Sequence, residues 1–338
     1  MRNQPNLHPM DELKNRLKGI LKVVPPGSEI YLLDYPVYGN GGDMLIWKGT
    51  EAFFKEHQIK IRKRYSVKDF PQQHHLAIPE HVIIVLHGGG NFGDLYLPHQ
   101  QLREYVVQHY PRNRIVILPQ TIYYKDERNY DRTAEIFNKH FDLHLYLRDE
   151  NCYTLAKSKL SSCHLYLMPD MAHQLWPIKS SHHVIKDTLY FLRTDIETNQ
   201  RQQAGSNTPQ GNSCVKDWDT LFNKLERKFI RLFSLVYGRL SGKLPMRWMW
   251  SKYTDYLMKK TIREFSSYES IQTSRLHGHI LSCLLDKPNT LIDNSYGKNK
   301  SYYDAWTYRI ESTRVMSVPA PSSEEASHVA NKKTLAGV

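Results

Sequence analysis

The chain has four cysteines, Cys152, Cys163, Cys214 and Cys283, with no Cys-x-x-Cys pairing and no histidines at ligand spacing. Neither a disulfide framework nor a structural zinc site is expected, and reduced thiols of a cytosolic protein are the default. His74-His75 and His182-His183 are adjacent pairs whose side chains diverge, so they read as surface residues and not as metal ligands. Long apolar runs are also missing: nothing approaches the roughly 18 uncharged residues of a membrane span. The start, Met1 to His8, lacks the apolar core of a secretory signal, which predicts a cytoplasmic enzyme. Acids are outnumbered by bases, 34 to 46, while 40% hydrophobic residues over 338 positions suffice for two domains with a sizeable core.

The basic excess concentrates between Lys216 and Arg263, where cations interleave with Phe222, Phe229, Phe233, Trp248 and Trp250. Leu221 to Val236 has apolar positions near helical spacing, so one face reads as core and the basic face as solvated. No nucleic-acid motif accompanies the charge, and nucleic acid is not an expected partner. A basic aromatic surface would also suit peripheral contact with an anionic membrane carrying a lipid-linked sugar, at its inner face.

Chemistry is suggested first by Thr273-Ser274-Arg275-Leu276-His277-Gly278-His279, which sets an arginine and two histidines where an extended segment enters an apolar helix. Unpaired amides and the dipole at such a helix start favour an anion, a guanidinium adds to them, and His277 titrates near neutrality. Upstream, the apolar run Val82 to Leu86 reads as a doubly buried strand followed by the glycine-rich turn His87 to Asp94. Gly88, Gly90 and Gly93 match dinucleotide-binding spacing, but the next strand, Arg114 to Thr121, ends in Gln and Thr where an acid should hold a ribose, so no nicotinamide cofactor is expected. An earlier turn, Tyr38 to Asp43, follows the strand Glu29 to Asp34. Both turns end in Gly-Asp, and each aspartate could cap a helix or face a ligand.

Seven pieces in order resemble the polysaccharide pyruvyl transferases: Gly39-Asn40-x-Gly42-Asp43, Gly88-Gly89-Gly90-Asn91-x-Gly93-Asp94, Leu147-Arg148-Asp149-Glu150, Pro169-Asp170-Met171-Ala172, Phe191-Leu192-Arg193-Thr194-Asp195, Ser274-Arg275-Leu276-His277-Gly278 and Asp293-Asn294-Ser295-Tyr296-Gly297-Lys298. Each is weak alone; the series spans most of the chain. The resemblance implies transfer of the enolpyruvyl unit of phosphoenolpyruvate to two hydroxyls of a sugar, giving a pyruvate ketal and phosphate. It also implies two Rossmann-like domains facing a cleft, similar to GT-B glycosyltransferases.

Organisation along the chain agrees with an α/β protein of two doubly wound parallel sheets. Residues 1–27 read as a helical extension around Met10 to Val23, 28–190 as the first Rossmann-like domain, 191–317 as the second with the donor site, and 318–338 as a disordered tail. Helices are expected at Leu102 to Tyr110 and Thr133 to His140, strands at Leu143 to Leu147 and Cys163 to Met168. The polar run 198–213 predicts a flexible loop.

Phosphoenolpyruvate needs cations or oriented amides for its phosphate and its carboxylate. Arg193, Arg275, Lys298 and His277 are the expected donor-binding residues. His277, Asp43 and Asp94 are the expected catalytic residues; Asn40, Gly89, Gly90, Asn91, Asp170 and Asn294 are expected in the acceptor part of the cleft. His277 would act as acid or phosphate partner, and Asp43, Asp94 and Asp170 are open as bases. Arg148 and Asp149 read equally as a local salt bridge. No metal or cofactor is expected. A nucleotide-sugar glycosyltransferase or a non-catalytic sugar- or anion-binding relative would share the sheets.

Overall fold

Buried strand residues alternate between two cores in the computed structural model, which describes residues 7–72, 76–193, 212–293 and 297–316. The first sheet has seven strands, β1 (Glu29–Leu33), β2 (Lys60–Tyr65), β3 (Ile83–Leu86), β4 (Gly89–Gly93), β5 (Ile115–Tyr123), β6 (Leu143–Leu147) and β7 (His164–Leu167). They are parallel, in the order β2-β1-β3-β5-β6-β7 with β4 also on β5. Ile30, Leu32, Val85 and Val116 pack with α1 (Pro9–Arg16) and α2 (Gly41–Glu56). Leu33, Ile84, Leu86 and Ile117 face the other way, toward α3 (Leu97–His109), α4 (Glu127–Phe137) and α5 (Glu150–Lys159). A parallel sheet covered on both faces gives such uninterrupted apolar strands.

The second sheet is also parallel, β12-β11-β10-β8-β9, from β8 (Lys186–Phe191), β9 (Cys214–Lys216), β10 (Tyr268–Thr273), β11 (Asn289–Ile292) and β12 (Thr313–Met316). Its helices are α6 (Trp218–Leu221), α7 (Lys224–Leu240), α8 (Met246–Ser266), α9 (Leu276–Leu284) and α10 (Lys298–Tyr302). Leu189, Phe191, Ile271 and Ile280 continue the core begun by α1 and α2, so the two units share apolar contact. After β11 the chain returns to the first unit: Trp306 Nε1 donates to the Arg148 carbonyl at 2.6 Å, and Asp170 N donates to Tyr302 OH at 3.1 Å.

Several elements differ from expectation. The second sheet starts at Lys186, inside the stretch assigned to the first domain. The glycines after β3 make no turn into a helix; the backbone continues as β4, whose register against β5 shifts between Gly89 and Phe92. Gly93, at φ 121°, lies where a Cβ would meet the Tyr123 carbonyl oxygen at 1.7 Å, so only glycine fits. The helix read as Thr133 to His140 starts at Glu127, where Asp126 accepts from Arg128 N. β2, sequence KIRKRY, is an edge strand without an apolar run. The long helix α8 also went unread. Most of the 198–213 loop, the 318–338 tail, His74-His75 and Asn294 lie outside the described residues. Among the described residues, no helix is long and apolar enough to cross a membrane.

Candidate functional site

The two units meet over a cleft of about 390 Å³ lined by Tyr38, Asn40, Asp43, Gly90, Asn91, Tyr96, His99, Thr121, Arg148, Arg193, Trp218, Arg275, Leu276, His277, Lys298 and Asn299. Its walls are strand ends and helix starts, where parallel α/β sheets place ligands. Asn40 is the cap of α2: its Oδ1 accepts from Gly42 N at 2.9 Å and Asp43 N at 3.4 Å. Asp43 is therefore released from capping, and its carboxylate lines the cleft, accepting from Tyr38 OH at 3.1 Å.

The two Gly-Asp segments prove unlike. Asp94 accepts from Lys125 N at 2.8 Å, Asp126 N at 2.9 Å and Asn129 Nδ2 at 3.1 Å, and it is not among the cleft-lining residues. It ties β4 to the start of α4. Asn91 does line the cleft, with its side-chain oxygen held by Arg103. Gly90 lines it too, 3.5 Å from Arg148 Nη2 to a built Cβ; Gly89, at φ 137°, sits behind it against Asp43 and Ile46.

Arg275 and His277 begin α9, whose N-terminus has no side-chain cap. Arg275 makes a bidentate pair with Asp217, Nε to Oδ1 at 2.7 Å and Nη2 to Oδ2 at 2.6 Å, which fixes its guanidinium at the cleft wall. His277 packs on Gly42 of α2, and its Nε2 lies 3.3 Å from Asp170 Oδ2. Asp170 is fully buried; Arg148 Nη1 donates to the same oxygen at 2.6 Å, and Ala172 N donates to Oδ1 at 2.9 Å. Burial works to raise the Asp170 pKa, but His277, Arg148 and the Ala172 amide outweigh it and hold the carboxyl well below its usual range. Asp170 thus stands behind the cleft as a permanent anion supporting His277 and Arg148. Arg148 does not pair with Asp149, which caps α5 through Cys152 N; it also donates to Thr121 Oγ1 at 2.7 Å. Arg193 and Lys298 line the same wall, Arg193 positioned by its backbone N–H on Ser274 Oγ at 2.8 Å and Lys298 over the Tyr123 ring.

Sequence reading missed Tyr96, Thr121, Trp218 and Asn299 of the lining, and above all His99 with its partner Asp34. His99 lines the cleft with Nδ1 2.6 Å from Oδ1 of the fully buried Asp34, which also accepts from Arg103 at 3.1 Å. A carboxylate can only accept, so Nδ1 donates to Asp34 and Nε2 is the ring nitrogen left for other partners. Asp34 adopts φ 68°, uncommon for a non-glycine residue, a feature the sequence does not signal. By contrast His279, adjacent to the motif, is a core residue bonded to Asn289 and Thr307, its pKa pushed down to about 4 by burial.

Sequence spacing suggested no metal cluster, yet folding gathers Asp142, His144 and His164 within 4.8 Å at the N-terminal ends of β6 and β7. Asp142 is engaged there by Arg114 at 3.0 Å and by His144 at 2.7 Å, outside the cleft.

Comparison with known proteins bears on what this cleft does. The Bacillus subtilis (strain 168) protein named "Putative pyruvyl transferase EpsO" is 47% identical over 312 residues, covering 91% of this chain and 95% of that protein. Pyruvyl transferase 1 of Schizosaccharomyces pombe is 25% identical over 301 residues, covering 83% of this chain and 70% of the relative. A crystal structure of an uncharacterized Klebsiella pneumoniae protein, KP1_0663, shares the fold with a TM-score of 0.60 at 21% identity, over 91% of this chain and 99% of the other. The family described as polysaccharide pyruvyl transferase matches residues 40–296, a span that carries the cleft wall except Tyr38, Lys298 and Asn299, and the chain belongs to that family.

Proposed function

We propose that the cleft binds phosphoenolpyruvate and transfers its enolpyruvyl carbons to two hydroxyls of one sugar residue, forming a cyclic ketal and releasing phosphate, in building a cell-surface or extracellular polysaccharide. The observation that carries this reading is that four cations line the cleft, Arg148, Arg193, Arg275 and Lys298, two of them held by Asp170 and Asp217 behind the wall, while Asp43 is the only carboxylate among the lining residues. A donor bearing both a phosphate and a carboxylate needs such a set. The amides that open α9 add partial positive charge at the same wall.

In this reading Arg193, Arg275 and Lys298 grip the donor. His277, held by Asp170, delivers a proton to the methylene carbon, which leaves positive charge on the adjacent carbon. A sugar hydroxyl bonds to that carbon, the C–O bond to phosphate breaks, and the second hydroxyl closes the ring. Of the two hydroxyl protons, one replaces the proton spent on the methyl group and the other leaves with phosphate. His99, held by Asp34, and Asp43 line the cleft from the first unit, with Tyr38 between them, and act as acceptors for those protons. Asn40 and Asn91 supply polar contacts for the sugar. The acceptor in this account is an oligosaccharide carried on a lipid.

Calorimetric titration with phosphoenolpyruvate tests the donor assignment. Saturable binding that weakens in both Arg193→Ala and Arg275→Ala supports it; the same affinity in wild type and both variants removes it.

A further inference from the structure

Helix α7 has a second apolar face. Glu226, Ile230, Phe233 and Tyr237 are its buried side, packed on the β1–α2 loop: Ile230 lies against Gly39, Ser234 Oγ donates to the Val37 carbonyl, and Tyr237 meets Tyr35. Helical spacing fully accounts for that side. Leu225, Leu232 and Leu235 nevertheless stand out into solvent, 78%, 58% and 69% exposed, and Trp248 just beyond the α7–α8 turn is 62% exposed. The basic face expected to be merely solvated therefore contains uncovered leucines.

Around these leucines the charge has one sign. Between Lys224 and Lys243 lie six cations and one acid, Glu226, which is buried and taken by Tyr256 at 2.9 Å and Lys260 at 2.6 Å. Leucines between exposed cations, with a tryptophan at the end, form the composition of a helix lying in an anionic lipid interface. A second copy of this chain is a poor fit, because a two-fold contact would set the same cations face to face. Nucleic acid would use the cations and leave the leucines without a role.

We infer that the outer face of α7, with the α7–α8 turn, docks on the surface of an anionic membrane. Since the inner face of α7 carries the loop with Tyr38 and Asn40 that leads into Asp43 of α2, docking would bring one cleft wall to within about a helix diameter, 10 Å, of the lipid headgroups. This serves the proposed lipid-linked acceptor, but the docking itself rests on α7 alone and is measured without turnover.

The test is co-sedimentation of the full chain with vesicles of phosphatidylcholine alone and of phosphatidylcholine and phosphatidylglycerol in equal parts. Binding is expected only to the mixed vesicles and should fall with added salt. Lys228→Glu/Arg231→Glu and, separately, Leu232→Ser/Leu235→Ser should each weaken it at least about tenfold, with unchanged thermal midpoint and unchanged turnover on a soluble acceptor. Equal sedimentation with both vesicles, no sedimentation, unaltered binding by both variants, or a dimer in solution that the leucine variant dissociates would each overturn the proposal. Failed turnover with normal vesicle binding would instead count against the pyruvyl transfer reading.

Discussion

A Cβ built on Gly42 would stand 2.7 Å from Nδ1 of His277, so the start of α2 in one unit and the start of α9 in the other are in van der Waals contact through a glycine. The imidazole has its place because position 42 lacks a side chain. Gly42→Ala should therefore keep the fold, since alanine suits a helix better than glycine by up to about 1 kcal/mol, yet displace the ring and lower turnover by at least about tenfold, roughly 1.4 kcal/mol in the barrier. Turnover and thermal midpoint measured together check this; normal turnover in the variant would detach His277 from the chemistry.

His277→Gln should leave the thermal midpoint within a few degrees and reduce turnover at saturating donor by about 100-fold or more, the usual contribution of an acid–base residue. His99→Gln should show a comparable loss of turnover with little change in donor affinity, because His99 faces the acceptor side in this account. Steady-state kinetics with donor and acceptor varied separately distinguishes the two.

Asp94→Asn separates the two Gly-Asp segments functionally. Its three donors organise the β5–α4 junction and not the cleft, so the expected outcome is a lowered thermal midpoint with kcat/KM near wild type. A large loss of kcat/KM in a stable variant would return Asp94 to the catalytic set.

Arg275 should matter for stability as well as for the donor. Arg275→Ala strands the buried Asp217 without its bidentate partner, which costs about 3 kcal/mol or more, besides raising the KM for phosphoenolpyruvate. Arg193→Ala should also raise the KM. Chemical denaturation of Arg275→Ala, with steady-state kinetics of both variants, is the check.

Buried neutral histidines predict the response to acid. Burial pushes His173 down to about 4, does the same for His279, and lowers His87. The unfolded chain protonates these residues near pH 6.5 and the folded chain does not. Stability is therefore complete above about pH 6.5 and is lost as the pH falls toward about 4. The depressed Asp170 acts in a lower window, its contribution being lost below about pH 4. A denaturant midpoint that stayed flat from neutral pH to about pH 4.5 would contradict the buried neutral state.

What could be read in the sequence was whatever local spacing determines. Arg275, His277 and Lys298 reach the cleft because each sits where a strand gives way to a helix, a place where side chains meet ligands. Asp43 and Asp94 looked alike because each follows a glycine; only the fold shows that Asn40 takes the cap at one and that backbone amides consume the other. Asp34 and His99 are 65 residues apart, and their pairing depends on the β1–α3 approach, which no periodicity encodes. β2 escaped notice because an edge strand does not need apolar residues. The amphipathic period of α7 was visible, but not which of its leucines would lack a covering partner.

The account turns on one product. The protein incubated with phosphoenolpyruvate and a panel of galactosides, glucosides and N-acetylhexosaminides should release one phosphate per acceptor consumed and yield a sugar heavier by one pyruvate less one water, and His277→Gln should yield about 100-fold less. Phosphate release without the ketal mass, or neither with any acceptor including lipid-linked ones, would contradict it.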